Sequence, residues 1–164
     1  MRFSKATMRK STDTAWWQSF ALSILEPQSG LYRADYLYDR LSEELATADG
    51  NGSRFCLLLV ERNGGDGSRL TKAGVQSVAH ALFVSARALD VPARLGPRRF
   101  ALLLPDVSGD QARRIGTTIR LDLLLEDGSD RDEWEVSCLE YPAHRSALEQ
   151  LRHGDGMRRR PRAA

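Results

Sequence analysis

Apolar residues recur along this chain at two different periods, and the change from one to the other marks out its elements. Trp16, Phe20 and Ile24 lie four residues apart, which places them on one face of a helix over 13–25, with Asp13 positioned to cap it. Glu26-Pro27 ends that helix, because a residue before proline avoids helical geometry. Leu37, Leu41 and Leu45 repeat the spacing and predict a second helix over 34–48 with those leucines buried. Asp49-Gly50-Asn51-Gly52-Ser53 reads as a turn. The apolar run from Phe55 to Val60 is too short for a helix and fits a strand covered on both faces. After a loop at 63–68, a helix over 71–88 carries Val75, Val78, Ala79, Leu82 and Leu89 on one side.

Arg94-Leu95, a turn at Gly96-Pro97, and the run Phe100 to Leu104 predict a β-hairpin. Ser108 is placed to cap a helix over 109–125 whose inward residues are Ala112, Ile115, Ile119 and Leu123. An acidic loop at 127–132 precedes a last strand from Trp134 to Leu139, and 145–152 forms a final short helix. The expected organisation is a basic segment and helix at 1–25, one α/β domain at 26–152, and a basic disordered tail at 153–164.

Composition narrows the function classes. The chain has 164 residues, 41% hydrophobic and 28% charged, as in an ordinary soluble domain able to bury a core. A net charge of +2 gives no reason to expect a nucleic-acid polymer as partner. The basic clusters, Arg2, Lys5, Arg9 and Lys10 at the start and Arg158, Arg159, Arg160 and Arg162 at the end, read as solvated tails. No apolar run reaches membrane-spanning length, and Trp16-Trp17-Gln18-Ser19 interrupts any signal-peptide core, so a cytoplasmic location is expected. Cys56 and Cys138 fall in strand-like segments and read as reduced core residues.

The candidate chemistry lies in one stretch, Arg87-Ala88-Leu89-Asp90 followed by five residues and then Gly96-Pro97-Arg98-Arg99-Phe100. It resembles the GGDEF domains of bacterial diguanylate cyclases, in which an RxxD product-binding site precedes the catalytic Gly-Gly-Asp-Glu-Phe hairpin by five residues. Glu26-Pro27-Gln28-Ser29-Gly30-Leu31-Tyr32-Arg33 is similar to that family's opening Asp-x-Leu-Thr-Gly-Leu-x-Asn-Arg, and Val136-Ser137-Cys138 to its late Val-Ser-Ile-Gly strand without the glycine. The resemblance covers roughly residues 26 to 150. It implies a central, mostly antiparallel sheet flanked by helices, behind a short N-terminal helix. The alternative is an unrelated α/β sandwich of the ferredoxin-like type.

Joining two GTP molecules needs divalent metal on carboxylate oxygens. Here Arg98 and Arg99 stand where the family has acids, and a guanidinium offers no ligand atom. Only Glu61 remains at the end of the first strand, followed by Arg62 and Asn63. Pro97 removes a backbone donor at the turn. The resemblance therefore implies no catalytic residue, no metal and no cofactor. What it keeps is ligand recognition. Arg87 can donate a fork to guanine O6 and N7, and Asp90 can accept from guanine N1–H and N2–H. Arg94, Arg98 and Arg99 are accessory candidates for phosphate contacts. An exposed i, i+3 ion pair is the competing reading of Arg87 and Asp90.

Family members with replaced hairpins and an intact RxxD act as receptors in exopolysaccharide secretion, motility or cell-cycle control. The resemblance thus implies a receptor for cyclic di-GMP that signals to a protein partner, with a homodimer among the possible assemblies. A nucleotide-independent interaction module of the same fold is the alternative. Gly64-Gly65-Asp66-Gly67 imitates part of the hairpin motif but has no RxxD before it and reads as a surface loop. His80, His144 and His153 are isolated, and no Ser or Cys nucleophile motif is present. Trp16 and Trp17 point in different directions as neighbours, so one of them is a candidate partner contact.

Overall fold

The computed structural model describes residues 15–16, 18–64, 69–127 and 133–154. The expected cap Asp13, most of the loop after the first apolar strand, the acidic loop and both basic termini lie outside these residues. A helix α1 occupies 15–16 and 18–24. It is followed by β1 (Tyr32–Arg33), α2 (Ala34–Asn51), β2 (Phe55–Arg62), α3 (Lys72–Ser85), β3 (Val91–Gly96), β4 (Arg99–Pro105), α4 (Gly109–Asp127), β5 (Trp134–Glu140) and α5 (Arg145–Arg152).

The five strands form one sheet in the order β1-β3-β4-β2-β5. Only β1 and β3 run parallel; the other neighbours are antiparallel. This is the mixed α/β sheet flanked by helices that the sequence predicts.

The apolar run in β2 is an alternation that serves two cores. Cys56, Leu58 and Val60 face α3 and α4, together with Phe100, Leu102 and Leu104 of β4. Phe55 and Leu57 face α2 and α5, together with Ala101 and Leu103. Successive strand residues point to opposite faces, so a strand buried on both sides needs apolar residues at every position. Leu37, Leu41 and Leu45 of α2 and Ala112, Ile119 and Leu123 of α4 are buried as their spacing predicts. Among the described residues, no helix is long and apolar enough to cross a membrane.

Several boundaries differ from expectation for identifiable reasons. Helix α2 runs through Gly50 to Asn51 and stops at Gly52, whose φ of 71° lets its N–H close on Ala48 O. Helix α3 ends at Ser85, so Arg87 is no longer on it, and Leu89 is exposed rather than inward. The β3 strand begins at Val91, and the hairpin turn is Pro97-Arg98, one residue later than predicted. Trp16 and Phe20 do share a face, stacked at 5.6 Å, but that face is exposed. Ser108 does cap α4, its Oγ accepting from Gln111 N at 3.3 Å.

Candidate functional site

The segment between α3 and β3 closes as a tight turn in which Asp90 N–H donates to Arg87 O at 3.0 Å. The Asp90 carboxylate folds back over the same turn. It accepts from the Arg87 backbone N–H at 2.7 Å, from Nε at 3.1 Å and from Nη2 at 2.9 Å. Arg87 Nη2 also donates to Pro105 O at the end of β4, at 2.8 Å. The Asp90 side chain is 0% exposed while that of Arg87 is 54% exposed. Arg87 therefore lies over the carboxylate as a half-exposed cover.

This arrangement departs from the sequence reading in one respect. Recognition of one guanine by Arg87 and Asp90 asks both side chains to face the ligand. Instead the carboxylate is buried and accepts its hydrogen bonds from Arg87. It is also not the exposed ion pair of the competing reading, because a carboxylate taken out of water depends on its donors. Arg87 Nη1 makes no hydrogen bond among the described residues.

The hairpin lies at the other end of β3, whose six residues span about 20 Å. In the β2–β4 register Glu61 stands directly opposite Arg99. Arg99 Nε donates to Glu61 Oε1 at 2.6 Å, and Nη2 pairs with the same oxygen. Arg62 pairs with Glu133 at 2.8 Å and lies over the Trp134 ring. Arg98 donates to Gly64 O across the sheet end, and its buried Nε has no partner among the described residues. At this sheet end Glu61 and Glu133 each have a guanidinium against them, while Glu135, opposite Glu61 on β5, accepts from the Asn63 amide. Such a donor set does not fit a divalent metal, which needs oxygen ligands free of competing cations. Among the described residues no three His, Cys, Asp or Glu side chains cluster as metal ligands.

Arg94 belongs to neither group. Its Nη1 donates to Gln28 Oε1 at 2.6 Å and to Glu26 Oε1 at 3.3 Å, while the guanidinium lies over Phe100. It fastens the Glu26–Gln28 turn to the hairpin, along a groove of about 430 Å³ that Arg69, Leu70 and Pro97 also line. Burial pushes the Glu26 carboxyl up. The Ser29 hydroxyl, the Ser29 and Gln28 N–H groups and Arg94 outweigh that and hold it below its usual range. The structure thus brings Arg87 and Asp90 together and keeps Arg94, Arg98 and Arg99 away from them on other partners.

His80 is exposed, and His144 Nδ1 accepts from Glu140 N at 3.0 Å, so neither histidine stands in a ligand set. In the imitation motif, Gly64 accepts from Arg98, and its remaining residues lie outside the described chain. Sequence reading missed two pairings, Glu61 with Arg99 and Glu26 with Arg94. Counting antiparallel register back from the hairpin turn would have found the first. The second joins residues 68 apart, and no local signal announces it.

No protein-family model and no curated protein matches this chain. Solved structures do. The chain is similar to the GGDEF domain of YfiN (also called TpbB) from Pseudomonas aeruginosa, at 20% identity and a TM-score of 0.60. That match covers 83% of this chain and 90% of the other. It is similar to the coiled coil and GGDEF domain of DgcB from Caulobacter crescentus, solved in complex with c-di-GMP. There the identity is 16%, the TM-score 0.64, and 91% of each chain is covered. It also matches the diguanylate cyclase SiaD from Pseudomonas aeruginosa, solved in complex with its activator SiaC, at 19% identity and a TM-score of 0.63. That match covers 91% of this chain and 65% of SiaD. At these identities the likeness is one of backbone architecture, and the chain has the fold of a GGDEF domain.

Proposed function

We propose that this chain is a receptor of GGDEF fold that binds cyclic di-GMP through Arg87 and Asp90, makes no dinucleotide, and passes its ligand state to a protein partner. The observation that carries the reading is the Arg87–Asp90 turn itself. A half-exposed fork lies over a preformed, buried carboxylate at the start of β3. DgcB, solved with c-di-GMP, has the same fold.

Guanine offers O6 and N7 to an arginine fork, and its N1–H and N2–H to a carboxylate. In this reading Arg87 rotates outward to take the first pair and uncovers Asp90 for the second. The Arg87 backbone N–H, which stays with Asp90, keeps the carboxylate aimed during the exchange. The rotation also releases Pro105 O at the start of the segment leading into α4, which gives ligand binding a route to a distant surface.

The absence of synthesis is inferred from the opposite end of β3. Glu61, the acid available at the strand end, is neutralised by Arg99, so a guanidinium holds the place a metal ion needs. Pro97 and Arg98 occupy the turn, where a phosphate-binding backbone needs donors. The test has two arms. Cyclic di-GMP at about a hundred times its Kd should stabilise the fold by about 2.7 kcal/mol. GTP with magnesium should give no dinucleotide. Product from GTP, or an unfolding midpoint unmoved by cyclic di-GMP, would overturn the reading.

One observation favours a second reading. The Asp90 carboxylate is already satisfied by Arg87, as in a turn that serves structure alone. A scaffold that engages partners through exposed Trp16, Phe20 and Leu22 needs no nucleotide. That reading expects complex formation indifferent both to cyclic di-GMP and to substitution of Arg87.

A further inference from the structure

Away from both ends of β3, the outer strand β5 carries a thiol that the reading above does not use. Cys138 stands opposite Leu58 in the β2–β5 register, and Cys56 lies two positions earlier on β2. Residues two apart on a strand share a face, so the two thiols meet diagonally on the side covered by α4. Each is in the reduced form, Cys56 buried and Cys138 partly exposed. Cys138 opens into a groove of about 350 Å³ between β5 and α4, beside Arg113, Thr117 and Ser137. Cys56 lies behind it without solvent access, its Sγ 3.3 Å from Val107 O.

The environment separates the two sulfurs chemically. Cys138 is held below the usual thiol range, first by its hydrogen bond with Cys56, against the opposing effect of burial, and then by the nearby Arg113 guanidinium. Cys56 is pushed up, by that same hydrogen bond and by burial. One thiol is thus activated and reachable from solvent, and its neighbour is protonated and hidden. Reactive cysteines have the first character, and resolving cysteines stand in the position of the second.

We propose that Cys138 is an oxidation site for hydroperoxides and that Cys56 resolves it to an intramolecular disulfide. The Cys138 thiolate attacks the peroxide O–O bond, taking one oxygen as sulfenic acid while the other leaves as an alcohol or water with the proton the thiol released. The Cys56 sulfur then attacks the Cys138 sulfur, an S–S bond forms, the S–O bond breaks, and the hydroxyl leaves as water with the Cys56 proton. In sum two thiols and one hydroperoxide give one disulfide, one alcohol and one water. Closure asks the thiols to approach to about 2.05 Å. Because β5 is the edge strand beside β2 among the described residues, it can shift toward its neighbour without breaking a second ladder there. This proposal does not rest on nucleotide binding.

The experiment treats the reduced full chain with hydrogen peroxide, traps remaining thiols with an alkylating agent, and reads the product by intact mass and peptide mapping. Wild type should lose both alkylatable thiols together, lose two hydrogens in mass, and regain both thiols with dithiothreitol. Cys56→Ser should stop at a Cys138 sulfenic acid that dimedone captures. Cys138→Ser should slow the oxidation of Cys56 by at least about tenfold, since that thiol is buried and protonated. Circular dichroism of each variant before oxidation establishes that it is folded. Two thiols that stay alkylatable in wild type would overturn the proposal. So would a disulfide between two chains, or Cys56 oxidising at an unchanged rate in Cys138→Ser.

Discussion

Asp90 is the residue on which the receptor reading depends, and its burial makes a claim about stability before any claim about ligand. A carboxylate with no exposed surface that accepts from a single side chain and its N–H is expensive to leave unpaired. Replacing Arg87 with alanine removes the Nε and Nη2 donors and opens the turn. Urea denaturation should show a loss of about 2–3 kcal/mol, several times what an exposed i, i+3 pair contributes. A loss within about 0.5 kcal/mol would mean that the pair is a surface contact after all. Arg87→Lys keeps a cation near Asp90 while losing the fork, so it is the better variant for ligand work. The spacing of arginine and aspartate was legible in the sequence. The burial was not, because it depends on α3 ending at Ser85 and on the turn closing over Asp90, which no local pattern states.

At the scale of elements, the hairpin and the helix pair make separate predictions. Arg99→Glu sets two carboxylates directly opposite one another across β2 and β4, which should cost about 0.2–1 kcal/mol. Magnesium should then raise the unfolding temperature of that variant more than that of wild type, since Glu61 would stand between Glu135 and the new carboxylate with no Arg99 guanidinium against it. On the other side of the sheet Asp49 of α2 holds α5, accepting from Arg145 Nη2 at 2.8 Å and from Tyr141 Oη at 2.7 Å. Arg145 first and Tyr141 second hold the Asp49 carboxyl down at about 2. A carboxyl lowered in the fold contributes stability that is complete above the ordinary aspartate value near 4. That contribution is lost as pH falls through about 2. Denaturation measured between those limits should show a fall in wild type that is smaller in Asp49→Asn. Helix faces and the two-sided strand were legible because periodicity reports burial. Element ends were harder to read. Gly52 rather than Gly50 stops α2, and the Arg87–Asp90 turn rather than hydrophobic spacing stops α3.

Across the whole molecule the two ends of β3 do different work. At one end Arg87 covers the buried Asp90 carboxylate, and at the other Arg99 lies against Glu61. The order of motifs along the chain made the GGDEF architecture legible, and similar solved structures bear out the fold. Whether Arg94, Arg98 and Arg99 help hold a ligand could not be read from sequence. Proximity along the chain does not reveal that β3 carries Arg98 and Arg99 to its far end, about 20 Å along, or that Arg94 is fastened to Glu26 and Gln28. The most direct measurement is titration calorimetry of cyclic di-GMP into wild type and Arg87→Lys, with both proteins verified as folded. The receptor account expects saturable binding to wild type, weakened about 5- to 150-fold in the variant by loss of one bidentate guanine contact of about 1–3 kcal/mol. No binding heat with wild type, or equal affinity in the two proteins, would contradict it.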